Sequence, residues 1–302
     1  MPAAVRFEVL CLPNVPWDVL VERVLRVERL GFEVAALPDH FVDWTDPPSP
    51  WFEGWTALTG LAGATSTIRL ATCVTQIPFR NPAVFARQVL TLDHVSHGRL
   101  EIGLGTGLVG DPSYAMAGID DWEPRERVER LAEYAEIVDR LLRDEVSSFA
   151  GTYYRTDGAI VNPRPVQTPR PPITIGALGP VMLRHAARLA DTWSTLSFKD
   201  SFDGQIAETR QRAAAMDEAC VAVGRDPATL RRSYTMYDAR ARPRGGTYDY
   251  YESTGRFEEM AGRIIELGMD ELVLYYPPDD RQIPCFERIA TDVLPRLRAA
   301  RA

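Results

Sequence analysis

Val34-Ala35-Ala36-Leu37-Pro38-Asp39-His40-Phe41 decides how this chain is read. The first four residues are a short apolar run of the buried-strand type. An acid and an imidazole stand side by side just past it, and Trp44 follows four residues after His40. The chain has only 4 histidines, and this one falls where a strand hands over to a loop. In α/β proteins ligands bind at the carboxyl ends of the strands. Asp39 and His40 are therefore the first candidates for chemistry.

The same unit recurs in both directions along the chain. Strands are predicted at 5–10, 34–37, 68–74, 100–104, 173–175, 192–196, 230–237 and 272–275. A helix opens near Pro16 and stops at Gly31, and others are predicted at 54–64, 82–95, 125–142, 181–189, 206–223, 257–267 and 286–300. Alternating strands and helices imply parallel strands joined by right-handed crossovers. Eight repeats in 302 residues point to the α/β class and a closed (β/α)8 TIM barrel rather than an open doubly wound sheet. No linker or shift of composition interrupts the pattern, so residues 1–302 read as a single barrel domain. Residues 149–172, rich in Gly, Tyr, Thr and Pro, form a hairpin-like excursion after the fourth strand–helix unit, and residues 240–255 form a rim loop.

Composition narrows the function. A net charge of -8 and the lack of a basic stripe argue against a nucleic-acid partner. Four scattered cysteines, with no C-x-x-C pair, suit a reducing cytoplasm and offer neither a disulfide framework nor a zinc site. No signal core or run of 18 apolar residues suggests a membrane, and no H-E-x-x-H, nucleophile elbow or metal-type cluster is present. The partner expected is a small-molecule substrate.

Two glycine turns follow strands. Gly105-Thr106-Gly107-Leu108-Val109-Gly110 matches G-x-G-x-x-G, but it follows the fourth strand and runs into Asp111-Pro112. A dinucleotide fingerprint belongs in the first strand–helix turn. These glycines instead let backbone approach a flat ligand at the barrel mouth. Gly176-Ala177-Leu178-Gly179 follows the fifth strand and opens a helix at Pro180, which is the order required of a phosphate cradle on a helix N-terminus. Lys199, the one lysine among 34 basic residues, lies just after the sixth strand and is a candidate for an anionic group. Trp44, Trp51 and Trp55 supply aromatic surface near His40, and imidazole is the side chain best suited to shuttle protons near neutral pH.

An ordered set of segments resembles the bacterial-luciferase-like oxidoreductases, with the closest likeness to the branch that uses the deazaflavin coenzyme F420. They are Gly31-Phe32 with Leu37 to Phe41, Glu53 to Leu58, Ala64 to Leu70, Arg80 to Ala83, Leu92-Asp93 with Gly98 to Leu100, and Asn162 to Gln167. The resemblance implies a coenzyme ring across the C-terminal mouth and a non-proline cis peptide within Thr72-Cys73-Val74 behind it. It implies that His40 exchanges the proton during hydride transfer and that Trp44 shapes the substrate side. Coenzyme contacts would come from Asp39, from Cys73, Val74, Thr75 and Gln76, from Thr106 and Gly107, and from Gly176, Ala177, Leu178 and Gly179. Leu108, Tyr114, Trp193, Lys199 and Tyr248 are the candidates for substrate contact.

The chain departs from the sugar-phosphate dehydrogenases of that branch at Leu108, where they carry a glutamate. An apolar residue there favours a less polar substrate, or a reaction needing one acid, such as reduction of an activated C=C, C=N or C=O bond. The stretch Gly245 to Tyr251 has no counterpart and reads as a lid, a substrate wall or a dimer contact. The resemblance also implies a homodimer. An FMN-dependent two-component monooxygenase using oxygen, and a non-catalytic flavin-binding protein, remain open alternatives.

Overall fold

The computed structural model describes residues 4–43, 46–238, 240–241 and 246–299. Its eight barrel strands are β1 Arg6–Leu10, β2 Val34–Leu37, β3 Arg69–Thr72, β4 Leu100–Gly105, β5 Ile173–Gly176, β6 Thr192–Thr195, β7 Arg231–Thr235 and β8 Glu271–Tyr275. Every strand pairs in parallel with its neighbours, and β8 pairs with β1, from Arg6 opposite Glu271 to Leu10 opposite Tyr275. The sheet is therefore closed, as the alternation predicted. Around it lie helices α1 Trp17–Arg29, α2 Gly54–Ala64, α3 Pro82–Val95, α4 Pro112–Ala117, α5 Pro124–Arg143, α6 Pro180–Leu189, α7 Phe202–Ala222 and α8 Thr254–Ile265, with a last helical run over 283–299. Among the described residues, no helix is long and apolar enough to cross a membrane.

Strands buried on both faces explain the near-continuous apolar runs. Outward residues such as Val9, Leu37, Leu70, Ile102, Ile175 and Leu272 pack under the helices in the main core. Leu10, Val34, Ala36, Ala71 and Val273 form a second, smaller cluster inside the barrel. Beyond shifts of a few residues at element ends, three details differ from the sequence reading. The strand predicted at 68–74 ends at Thr72, because the Cys73–Val74 peptide is cis and the chain resumes beside β4 as Thr75–Gln76. The excursion is a two-stranded antiparallel hairpin, Ser147–Ala150 with Arg155–Ala159, which starts slightly before 149. Helix α4 was not anticipated; at six residues it is too short to show a period, although Asp111, Pro112 and Gly118 mark its ends.

The floor of the barrel is ionic. Arg6 reaches Glu101 through both terminal nitrogens, at 3.0 and 2.9 Å, and Glu271 at 2.6 Å. Arg69 also holds Glu101. Glu8 lies buried beside this cluster, and burial together with Glu271 and Glu101 pushes its carboxyl well above the ordinary range. This plug closes the N-terminal end and leaves the C-terminal end as the open mouth. Removing one partner of a buried ion pair leaves a charge without compensation. Arg6→Ala is expected to lower stability by about 3–5 kcal/mol in urea denaturation; an unchanged midpoint would show that the cluster carries no such constraint.

Candidate functional site

The site is built on the turn after β2. Asp39 is 2% exposed, and Arg80 grips both of its carboxylate oxygens, Nη2 to Oδ1 at 2.9 Å and Nη1 to Oδ2 at 2.5 Å. The Gln76 backbone N–H donates to Oδ2 at 3.2 Å. Arg80 also pairs with Glu53, the residue that caps α2 by accepting from the N–H groups of Trp55 and Thr56. The Asp39 side chain is thus consumed by the protein. What it offers a ligand is a fixed position for the backbone beside it.

That turn aims His40. The His40 carbonyl accepts from Trp51 Nε1 at 2.8 Å, and the Trp51 ring meets the imidazole edge-on, with centroids 6.1 Å apart. His40 Nδ1 lies 2.7 Å from Asp111 Oδ2 and 2.8 Å from Gln76 Nε2. Sequence reasoning missed Asp111. Its signal is an aspartate before a proline at a helix start, directly after the glycine-rich turn. Asp111 caps α4 by accepting from Ser113 N–H at 2.8 Å, and the Ser113 hydroxyl accepts from Phe41 N–H at 3.2 Å. Burial opposes the charge of Asp111, but hydrogen bonds from His40 and Ser113 outweigh it and hold the carboxyl well below the usual range.

Glycines shape the wall beside this pair. A Cβ at Gly103 would collide with the Thr72 carbonyl, and one at Gly105 with the Val74 side chain, so β4 can pass close against Cys73–Val74 only without side chains there. Gly107 has φ +76°, and a Cβ would strike the Tyr114 hydroxyl and come within 2.8 Å of Gln76 Oε1. Arg127 ties this loop down from α5, donating to the carbonyls of Thr106 at 3.0 Å and Trp122 at 2.7 Å and pairing with Asp121. Across the mouth, α6 begins after Gly179 without a side-chain cap, and Arg212 pins the turn by donating to the Leu178 carbonyl at 3.1 Å. Leu178 and Gly179 are exposed. Lys199 is exposed just beyond the end of β6.

The structure sorts the remaining candidates. Cys73 is half-buried beside the inner cluster, with Val74 next to it. The Thr75 hydroxyl faces away from the mouth, accepting from Trp55 Nε1 at 3.0 Å and donating to Thr72 Oγ1 at 2.8 Å. The Gln76 side chain is spent on Asp39, Asp111 and Tyr114. Tyr114, expected to touch substrate, is 1% exposed and supports Gln76 from behind. Trp193, expected likewise, points outward from β6 into the helix layer, where its Nε1 donates to the Ala177 carbonyl at 2.9 Å; strand alternation gives the mouth to its neighbours instead. Tyr248 is buried and stacks on Tyr250 and Tyr275, and Tyr250 and Tyr251 are buried with it. These tyrosines are core rather than a lid, because rings of that size gain most by packing together. Leu108 stays at the rim, 42% exposed. Trp44 and Gly245 lie outside the described residues.

This arrangement matches the family described as luciferase-like monooxygenase over residues 5–267. The chain belongs to that family. Among curated relatives, an F420-dependent glucose-6-phosphate dehydrogenase from Intrasporangium calvum is 30% identical over 320 residues, covering 92% of this chain and 94% of its own. An F420-dependent hydroxymycolic acid dehydrogenase from Mycobacterium tuberculosis is 31% identical over 221 residues, covering 73% of this chain and 58% of its own. Among solved structures, an F420-dependent secondary alcohol dehydrogenase in complex with an F420–acetone adduct superposes with a TM-score of 0.79 at 18% identity, covering 95% of this chain and 98% of its own. That last likeness concerns the luciferase-like fold.

Gly107→Ala is expected to destabilise the protein by roughly 1–3 kcal/mol, since a positive φ and an occupied space both oppose the methyl group. Thermal melting checks this; a melting temperature equal to the parent's would contradict the packing described.

Proposed function

We propose that the protein is a deazaflavin (coenzyme F420)-dependent oxidoreductase that passes a hydride between the coenzyme and a small organic substrate. The substrate bond is an activated C=C, C=N or C=O, and His40 exchanges the proton. The observation that carries this reading is His40 itself: Nδ1 is held by protein, and Nε2 has no hydrogen-bond partner among the described residues. The ring stands at the carboxyl end of β2, as the chemistry of the fold requires. The curated relatives, named as F420-dependent dehydrogenases, support the choice of coenzyme.

The residues present fit a flat ring with an anionic tail. Gly103 and Gly105 let β4 close up against Cys73–Val74, so that the short apolar Val74 side chain would back the ring. Thr106, Gly107 and the Gly176–Gly179 turn would hold the tail, with its phosphate at the open N-terminus of α6. When bound, F420 supplies or accepts the hydride. The chain does the rest: the turn after β2 orients His40, Asp111 holds Nδ1, and Nε2 gives or takes the proton. Leu108 and Phe41, both exposed at the rim, make the substrate side apolar. A homodimer in the cytoplasm, with one barrel unit over residues 1–302, completes the reading.

His40→Ala is expected to lower turnover by roughly 10²–10⁴-fold while coenzyme affinity is kept. The assay follows F420 absorbance with a panel of alcohols in one direction and activated alkenes, imines and ketones in the other. Full activity in the variant would overturn the role of His40.

A further inference from the structure

The geometry points to Asp111 as a positioning residue that fixes the tautomer of His40, placing the ring proton on Nδ1 and leaving Nε2 as the atom that exchanges protons with the substrate. The inference rests on the functional reading above and deepens it. It follows from how the donors and acceptors around Nδ1 share out their hydrogens, with the carboxylate as its nearest partner.

Arg127 has only donors. Its Nη1 lies 3.3 Å from the Tyr114 hydroxyl, so that oxygen accepts, and the hydroxyl proton goes to Gln76 Oε1. The orientation of the Gln76 amide is thereby set, and its NH2 faces the other way. There its two hydrogens face three groups, His40 Nδ1 at 2.8 Å, the Asp39 carbonyl at 2.9 Å and Asp111 Oδ2 at 3.2 Å, of which the carbonyl and the carboxylate can only accept. An amide NH2 cannot accept the His40 proton. A bare Nδ1 at 2.7 Å from a carboxylate oxygen would set two lone pairs against each other. Nδ1 therefore carries hydrogen and donates to Asp111. The second Asp111 oxygen is fixed by the α4 N-terminus, so the carboxylate cannot turn away.

In the reductive direction the hydride goes to a substrate carbon, and the atom left with the negative charge takes the proton from Nε2–H. The Nε2–H bond breaks, and the ring returns to its neutral form with Nδ1–H intact. In the oxidative direction the same proton moves onto Nε2, and the Asp111 carboxylate faces the imidazolium that results. The acid stands behind the histidine, while an apolar residue, Leu108, takes the place at the rim.

Asp111→Asn and Asp111→Ser both test this, because Asn and Ser cap helices about as well as Asp. Asn removes the charge, and Ser withdraws from the ring. The ring nitrogens of His40 are followed by ¹⁵N NMR in the full chain, with and without F420, and assigned by His40→Gln among the 4 histidines. The parent is expected to show hydrogen on Nδ1 and a bare Nε2 in the neutral ring. Both variants should shift toward the Nε2–H tautomer and lose about 10²-fold in kcat, with coenzyme affinity near the parent's. A parent ring protonated on Nε2, variants that keep the parent tautomer, or a kcat equal to the parent's would each overturn the inference. A parent that neither binds nor turns over F420 would overturn the functional reading instead, and the tautomer measured without coenzyme would still judge the Asp111–His40 pair.

Discussion

A carboxylate buried against a guanidinium holds the mouth of this barrel together. Asp39 has almost no contact with solvent, and Arg80 meets it with two parallel hydrogen bonds. A pair of this kind gains little net stability, because desolvation offsets attraction. It is highly specific in geometry, since a two-pronged contact tolerates only one relative placement of its partners. Arg80 sits in the segment after β3, Glu53 at the start of α2 and Asp39 after β2. Their union ties both ends of the β2–α2 connection to the segment before α3, and His40 is carried on the first of these connections.

The same logic explains why a family resemblance extends over so much of the chain. Asp93 accepts from the backbone N–H groups of Val166 and Gln167 and from the Gln167 amide. Arg99 binds the carbonyls of Ala62, Thr65 and Ile68, and Arg69 reaches Gln167. Residues that look like a signature in the sequence are staples in the structure, joining segments distant in the chain. Such staples preserve a scaffold. They leave the rim, where Leu108 and Asp111 lie, free to differ.

The barrel and most of its elements were legible because two-sided burial and helical periodicity leave strong patterns; α2 and α3 were predicted to the residue. Asp39 and His40 were legible because they directly follow a strand. What escaped depended on direction or on contacts across the fold. Trp193 was assigned to the mouth because its position in the chain is right, but a strand sends alternate side chains to opposite faces. The tyrosines at 248, 250 and 251 read as a lid, a substrate wall or a dimer contact because they follow glycines at the rim, and only the packing against Tyr275 and Phe286 shows them to be interior. Asp111 escaped because its partner lies 71 residues earlier, and no local pattern encodes that meeting.

A mouth backed by Val74 and fitted with one outward-facing imidazole suits a deazaflavin. Titration of the purified protein with F420 and, separately, with FMN, each followed by fluorescence, tests it most directly. The account predicts saturable binding of F420 at micromolar concentration and much weaker binding of FMN. Tight binding of FMN with none of F420 would contradict it.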